Sequence, residues 1–92
     1  MTLPNDWYVY IIETHNGKLY TGITTDVRRR FIEHQGGNKQ AKFFHSSPAK
    51  KVVFIEQHPS RSAASKREYA IKKLSKPKKL TLIQTAIACI MD

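Results

Sequence analysis

Between residues 60 and 79 the chain carries Arg61, Lys66, Arg67, Lys72, Lys73, Lys76, Lys78 and Lys79 with a single carboxylate among them, Glu68. A lone acid in so basic a field is what a metal site beside a phosphate groove requires: the carboxylate gives Mg²⁺ a hard oxygen ligand, and the surrounding cations hold a polyanion. The plain alternative is an exposed Glu68–Lys72 pair at i, i+4, worth only ~0.3–0.5 kcal/mol, and for an arbitrary glutamate it is the better reading. Tyr10 and Tyr20 could act on a water if cations or a metal favour the phenolate, whose pKa starts near ~10. Taken singly, each is a strand aromatic packing across a sheet. Arg30 could offset charge on a phosphate, or be a solvated surface charge; His34 reads first as a partly buried helix residue. None of these signals is specific in isolation.

The elements that must position them are legible in the hydrophobic pattern. Residues 7–13 are aromatic or β-branched almost throughout and 18–23 follow suit, with His15-Asn16-Gly17 between, which predicts a β-hairpin. A two-residue Asn16-Gly17 turn would pair Glu13 with Tyr20 and send Tyr10 and Tyr20 to opposite faces. A three-residue turn with Gly17 left-handed would pair Ile12 with Tyr20 and place Tyr8, Tyr10 and Tyr20 on one face. Asn-Gly suits both turns.

Thr24-Thr25-Asp26 offers an N-cap, and Val27, Phe31 and His34 recur at helical spacing until Gly36-Gly37, so a helix is expected over about 26–35. Arg30 and His34 then lie beside the apolar stripe, while Arg28 and Arg29 point to solvent. A helical turn around 41–44 is expected before Pro48, then a strand over 51–57 whose run Val52-Val53-Phe54-Ile55 suggests burial on both faces. Ser60 or Ser62 can cap a helix reaching about residue 74, where Glu68 borders the apolar face. Ser75-Lys76-Pro77 should break or kink it ahead of a last helix over about 78–91, with Leu80, Ile83, Ile87 and Ile90 as a core stripe. The expected fold is α+β, a small three-stranded, mostly antiparallel sheet flanked by helices in the order β-β-α-α-β-α-α.

Ninety-two residues suit one domain, able to bury roughly 60–65% of its unfolded surface. Sixteen Lys and Arg against seven Asp and Glu give a net charge of +9, a potential that draws polyanions, nucleic acid first. Cys89 is the only cysteine, which excludes an internal disulfide or a cysteine-rich zinc site and fits a reducing compartment; it reads best as a small apolar residue near a helix end. No stretch approaches the ~20 apolar residues that span a bilayer, so no membrane partner is expected and the cytoplasm is the default location.

Together, Tyr8-Val9-Tyr10, Tyr20-Thr21-Gly22-Ile23-Thr24-Thr25-Asp26, Arg29-Arg30, Glu33-His34 and Ser62-Ala63-Ala64-Ser65-Lys66-Arg67-Glu68 form a pattern that resembles the GIY-YIG nuclease superfamily. It looks most similar to small stand-alone members, which are like the amino-terminal nuclease domain of the excision-repair incision subunit. The likeness runs from about residue 7 to 83, with the whole of 1–92 as a single domain. It departs from the family where Tyr8 replaces the glycine that opens the first motif half, and where no asparagine follows Glu68.

The resemblance implies roles. Tyr10 and Tyr20 match the two motif tyrosines, one of which polarises the attacking water while the other positions it or the phosphate, and Tyr20 is favoured as the base. Gly22 matches the glycine that leaves room close to the substrate, Arg30 the arginine on the scissile phosphate, and Glu68 the ligand of a single Mg²⁺ or Mn²⁺. His34 is auxiliary, and Arg29, Lys66, Arg67, Lys72 and Lys73 are expected to bind nucleic acid. The implied activity is metal-dependent endonucleolytic hydrolysis, DNA favoured over RNA and related to repair or recombination, with targeting left to a partner protein. The alternative is a non-catalytic basic nucleic-acid-binding module.

Overall fold

The computed structural model describes residues 6–36 and 40–91, the side chains of 87–91 excepted. The hairpin has the three-residue turn. Gly17 sits at φ 80, its N–H donates to the Thr14 carbonyl (3.0 Å), and Thr14 N–H donates to the Lys18 carbonyl (2.9 Å). Only glycine takes that left-handed φ without crowding its Cβ against the carbonyl. The register of β1 (Trp7–Thr14) and β2 (Leu19–Thr24) then pairs Ile12 with Tyr20 and Tyr10 with Gly22. Directly paired residues point to the same side of a sheet, so Tyr8, Tyr10 and Tyr20 share one face.

The order of the elements is the expected one: α1 (Val27–Gln35), α2 (Phe43–Ser46), β3 (Ala49–His58), α3 (Arg61–Lys72) and α4 (Lys76–Met91) follow the hairpin. The sheet order is β2-β1-β3, antiparallel throughout. Asp26 caps α1, its carboxylate accepting from Arg29 N–H at 3.0 Å, and Ser60, not Ser62, caps α3 by accepting from Ala63 N–H at 3.2 Å.

Three expectations change. Burial on both faces belongs to the central β1, where Val9, Tyr10, Ile11 and Ile12 are all buried; β3 is an edge strand with Ile55 55% exposed. Two register shifts against β1 leave Val53 and Lys50 as extra residues, which interrupts the alternation that the apolar run already lacked. Pro77 does not break a helix: the break comes before Lys76, and Pro77 stands in the first turn of α4, where a missing N–H costs no intrahelical bond. Leu80 is 40% exposed, whereas Ile83 is buried with Leu82 and Ala86 packed beside it. The Ile87, Ile90 and Cys89 side chains, and Gly37, lie outside the described residues.

Two cores result, one on each side of the sheet. Val9, Ile11 and Phe54 meet Ala64 and Ile71 of α3 and Ile83 of α4. On the opposite face Tyr10, Ile12 and Ala49 meet Phe44 of α2, with Tyr20 and with Val27 and Phe31 of α1 packed around them. A fully buried Ile or Val contributes about 1.5–3 kcal/mol, so β1 alone fastens both layers.

Candidate active site

Tyr10 is the centre of the α1 side. Its ring crosses over its cross-strand neighbour Gly22 so closely that a Cβ there would lie 2.5 Å from the phenolic oxygen and 2.7 Å from Cζ. The space expected for substrate at Gly22 is therefore taken by Tyr10 itself, and glycine is required so that the phenol can reach the outer strand.

There the Tyr10 oxygen lies 2.9 Å from His34 Nε2. The Ala41 N–H donates to His34 Nδ1 (3.4 Å), which places the single proton of a neutral imidazole on Nε2, donating to Tyr10. The Arg30 guanidinium stands close enough to lower the cost of ionising the Tyr10 hydroxyl. With the His34 N–H donating to its oxygen, the phenol keeps its own proton for another acceptor. Burial, then the neighbouring Tyr20 and the more distant Glu68, hold the Tyr10 pKa well above the ordinary tyrosine value, although Arg30 opposes them. Burial and the Arg30 charge depress His34 to about 4, so the ring is neutral at pH 7 despite Glu33 nearby.

Tyr20 is half-buried beside this pair. Its ring centroid is 6.3 Å from Tyr10, 5.3 Å edge-on from His34, 5.3 Å from Phe43 and 4.8 Å from Phe44. Among the described residues its hydroxyl has no hydrogen-bond partner. Arg30 is oriented from the same helix by Glu33, Nη1 to Oε1 3.0 Å. The helix puts Arg30 on the Tyr10 side while Arg28 and Arg29 stand exposed, as the spacing predicts.

Glu68 reaches the site from the other layer. It sits on α3 one turn after the buried Ala64, is 22% exposed, and acts on the Tyr10 phenol through its charge. Lys72 Nζ is 3.4 Å from its Oε2. Glu68 thus makes the i, i+4 pair, and its charge is also felt at the Tyr10 phenol. Among the described residues no three His, Cys, Asp or Glu side chains form a metal cluster. A single half-buried carboxylate fits Mg²⁺ or Mn²⁺, which keep several waters and share substrate phosphates, and does not fit the four-ligand cage of structural zinc.

The other expected nucleic-acid contacts do not converge. Arg67 Nε donates to Glu56 of β3 at 2.9 Å, a carboxylate it shares with His58 (2.7 Å). Lys73 lies 4.2 Å over the Tyr69 ring, and Lys66 is exposed on the side of α3 away from the buried Ala64 and Ile71. Of the five basic residues, only Lys72 stands at the site. Sequence reasoning missed Phe43 and Phe44, which wall Tyr20 and His34; two adjacent phenylalanines in a short polar stretch were the available signal. A cavity of about 480 Å³ lined by Tyr8, Val27, Phe31, Val52 and Ile55 lies toward β3 and contains none of the candidate catalytic side chains.

Residues 6–81 match the sequence profile of the family described as GIY-YIG catalytic domain. The UPF0213 protein DP2720 of Desulfotalea psychrophila is 46% identical over 87% of this chain and 73% of its own, and the UPF0213 protein PA3854 of Pseudomonas aeruginosa is 49% identical over 84% and 73%. Among solved structures, the solution NMR structure of the UPF0213 protein BH0048 from Bacillus halodurans is 36% identical, with a TM-score of 0.56 over 87% of this chain and 84% of that one.

Proposed function

The chain belongs to the GIY-YIG catalytic domain family, a family of nucleases whose substrate is nucleic acid, and from that premise we propose that it is a divalent-metal-dependent endonuclease acting on DNA in the cytoplasm, targeted by a partner protein. The observation that carries this reading is the cluster of Tyr10, Tyr20, Arg30 and His34, with the charge of Glu68 felt at the Tyr10 phenol. Tyr10, Tyr20, Arg30 and His34 come from the α1 side of the sheet, and Glu68 comes from α3 on the other side. The +9 net charge supports a polyanionic substrate, and the likeness to the excision-repair nuclease domain favours DNA and a repair role.

Each residue has a task that its surroundings support. A divalent cation held by Glu68 would polarise the phosphoryl group and offset its charge. Tyr10, a neutral phenol with its oxygen fastened by His34, points its proton at a water or phosphate oxygen and positions it. Tyr20 stands beside it as the base that directs water to phosphorus. Arg30, fixed by Glu33, offsets charge on the equatorial oxygens as they become more negative.

The test is to incubate the protein with labelled duplex, single-stranded and branched DNA and with RNA, in Mg²⁺, Mn²⁺ or chelator, beside a folded Glu68→Ala variant. Metal-dependent cleavage that falls at least about a hundredfold in the variant is expected. Cleavage equal in the variant overturns the mechanism, and binding without cleavage supports the non-catalytic module.

A further inference from the structure

A second cluster of cations lies along the outer edge of β2. Lys18, Leu19, Phe43, Lys76 and Lys79 line a cavity of about 260 Å³, and no acidic residue is among them. β2 is an edge strand, so this cavity and Gly22, over which Tyr10 passes, share one open side of the sheet. Leu19 and Gly22 are three residues apart on that strand, ~10 Å at the usual rise. The cavity is structurally fixed: Lys76 Nζ donates to the Gly17 carbonyl at 2.6 Å and ties the start of α4 to the hairpin turn, while Asn16 of the turn donates to Ser47 at 3.2 Å. Phe43, which walls the cavity, also packs on Tyr20, so the two places share a wall.

Three ammonium groups at one cleft repel one another unless an anion stands between them. Lys79 is half-buried there, beside the apolar side chains of Leu19 and Phe43. Lysine heads act as mobile point charges suited to a phosphate.

We infer that this cleft binds a backbone phosphate flanking the scissile one, so that a nucleic-acid strand lies along the open edge of β2 with Lys18, Lys76 and Lys79 fixing its register over the tyrosines. The inference deepens the nuclease reading and rests on it for the place of the scissile phosphate. It moves the main electrostatic grip from the exposed cations of α3 to the junction of the hairpin turn with α4.

The experiment compares two charge-matched double variants of the full chain, Lys18→Ala/Lys79→Ala at the cleft and Lys50→Ala/Lys51→Ala on the opposite edge strand, where both lysines approach Glu13. Affinity for a fluorescent oligonucleotide is measured in chelator across a salt series, after melting curves show each variant folded. The cleft variant is expected to bind about tenfold more weakly and to lose about 0.7–0.9 from the slope of log affinity against log salt, the share of one phosphate contact. The β3 variant should stay close to wild type. Equal losses in the two variants, or an unchanged slope at the cleft, overturn the inference and leave the cleft to another acidic ligand. Wild-type cleavage in Mg²⁺ is scored separately: binding that needs Lys18 and Lys79 without any cleavage upholds the cleft and removes the nuclease reading. Cleavage with undiminished binding in the cleft variant does the reverse.

Discussion

Neighbouring residues of β1 serve two different layers. Val9 and Ile11 face α3 and α4, where the core is aliphatic with Phe54 as its one buried aromatic ring; Tyr10 and Ile12 face α1 and α2, where Tyr10, Tyr20, His34 and Phe44 crowd together. The first layer is apolar apart from Thr21, which pairs with Ile11 on that face and whose buried hydroxyl has no hydrogen-bond partner among the described residues. The second must bury a phenol and an imidazole, and it does so by joining them to each other and the imidazole to the Ala41 N–H. Stability and chemistry are thus divided between the two faces of a single strand, a period of two that a strand supplies and a helix cannot.

The largest test of that division is a pair of substitutions one residue apart. Ile11→Ala should cost about 2–5 kcal/mol by leaving a cavity in the aliphatic layer, whereas Tyr10→Phe should cost only about 1–3 kcal/mol by stranding the His34 donor. Cleavage per folded molecule should show the opposite order, nearly intact in the first and strongly reduced in the second. Denaturant melts together with nuclease rates check this, and equal effects on both readouts break the comparison.

The α1 layer should also carry a pH dependence that the α3 layer lacks. His34 has its pKa depressed to about 4 when folded, against an unfolded value near 6.5. The unfolded chain therefore binds more protons between those values, so this contribution to stability is complete above about pH 6.5 and is lost as pH falls toward 4. The loss amounts to up to about 3 kcal/mol. A His34→Gln variant should flatten that arm of the stability curve in denaturant melts run from pH 4 to 7; an unchanged slope would assign the acid sensitivity to other groups.

A substitution at Gly22 tests the placing of Tyr10 from the neighbouring strand. Gly22→Ala drives a methyl into the Tyr10 hydroxyl and should cost about 1–3 kcal/mol as the ring shifts. A displacement of about 1 Å at a positioned group can cost 10²-fold in rate, so cleavage should fall far more than stability does. A variant that cleaves at the wild-type rate would show that the position of Tyr10 is immaterial.

Much of the frame was legible because it is local. Each strand and helix starts and stops near where alternation, caps and Gly or Pro place it, and the resemblance in Tyr20-Thr21-Gly22 through Asp26 pointed to the family that residues 6–81 match. What failed depended on partners. Whether the run Val52–Ile55 is buried on one face or two is decided by β3 being an edge strand, and whether Arg67 meets nucleic acid or Glu56 is decided by a strand eleven residues away in sequence. Pro77 misled because its effect depends on whether it falls inside a helix or at its first turn.

By itself, then, the sequence determined the order of elements, the basic charge and the residue types that chemistry would need, since periodicity and composition are properties of short windows. The fold alone decided between the two hairpin turns, and with that decision placed Tyr10 and Tyr20 on one face. It also showed Gly22 as a gap filled by Tyr10, and let the charge of Glu68 on the opposite layer be felt at the phenol. Those facts depend on which surfaces meet across the sheet, and contacts between residues far apart in the chain leave no period in the sequence to read.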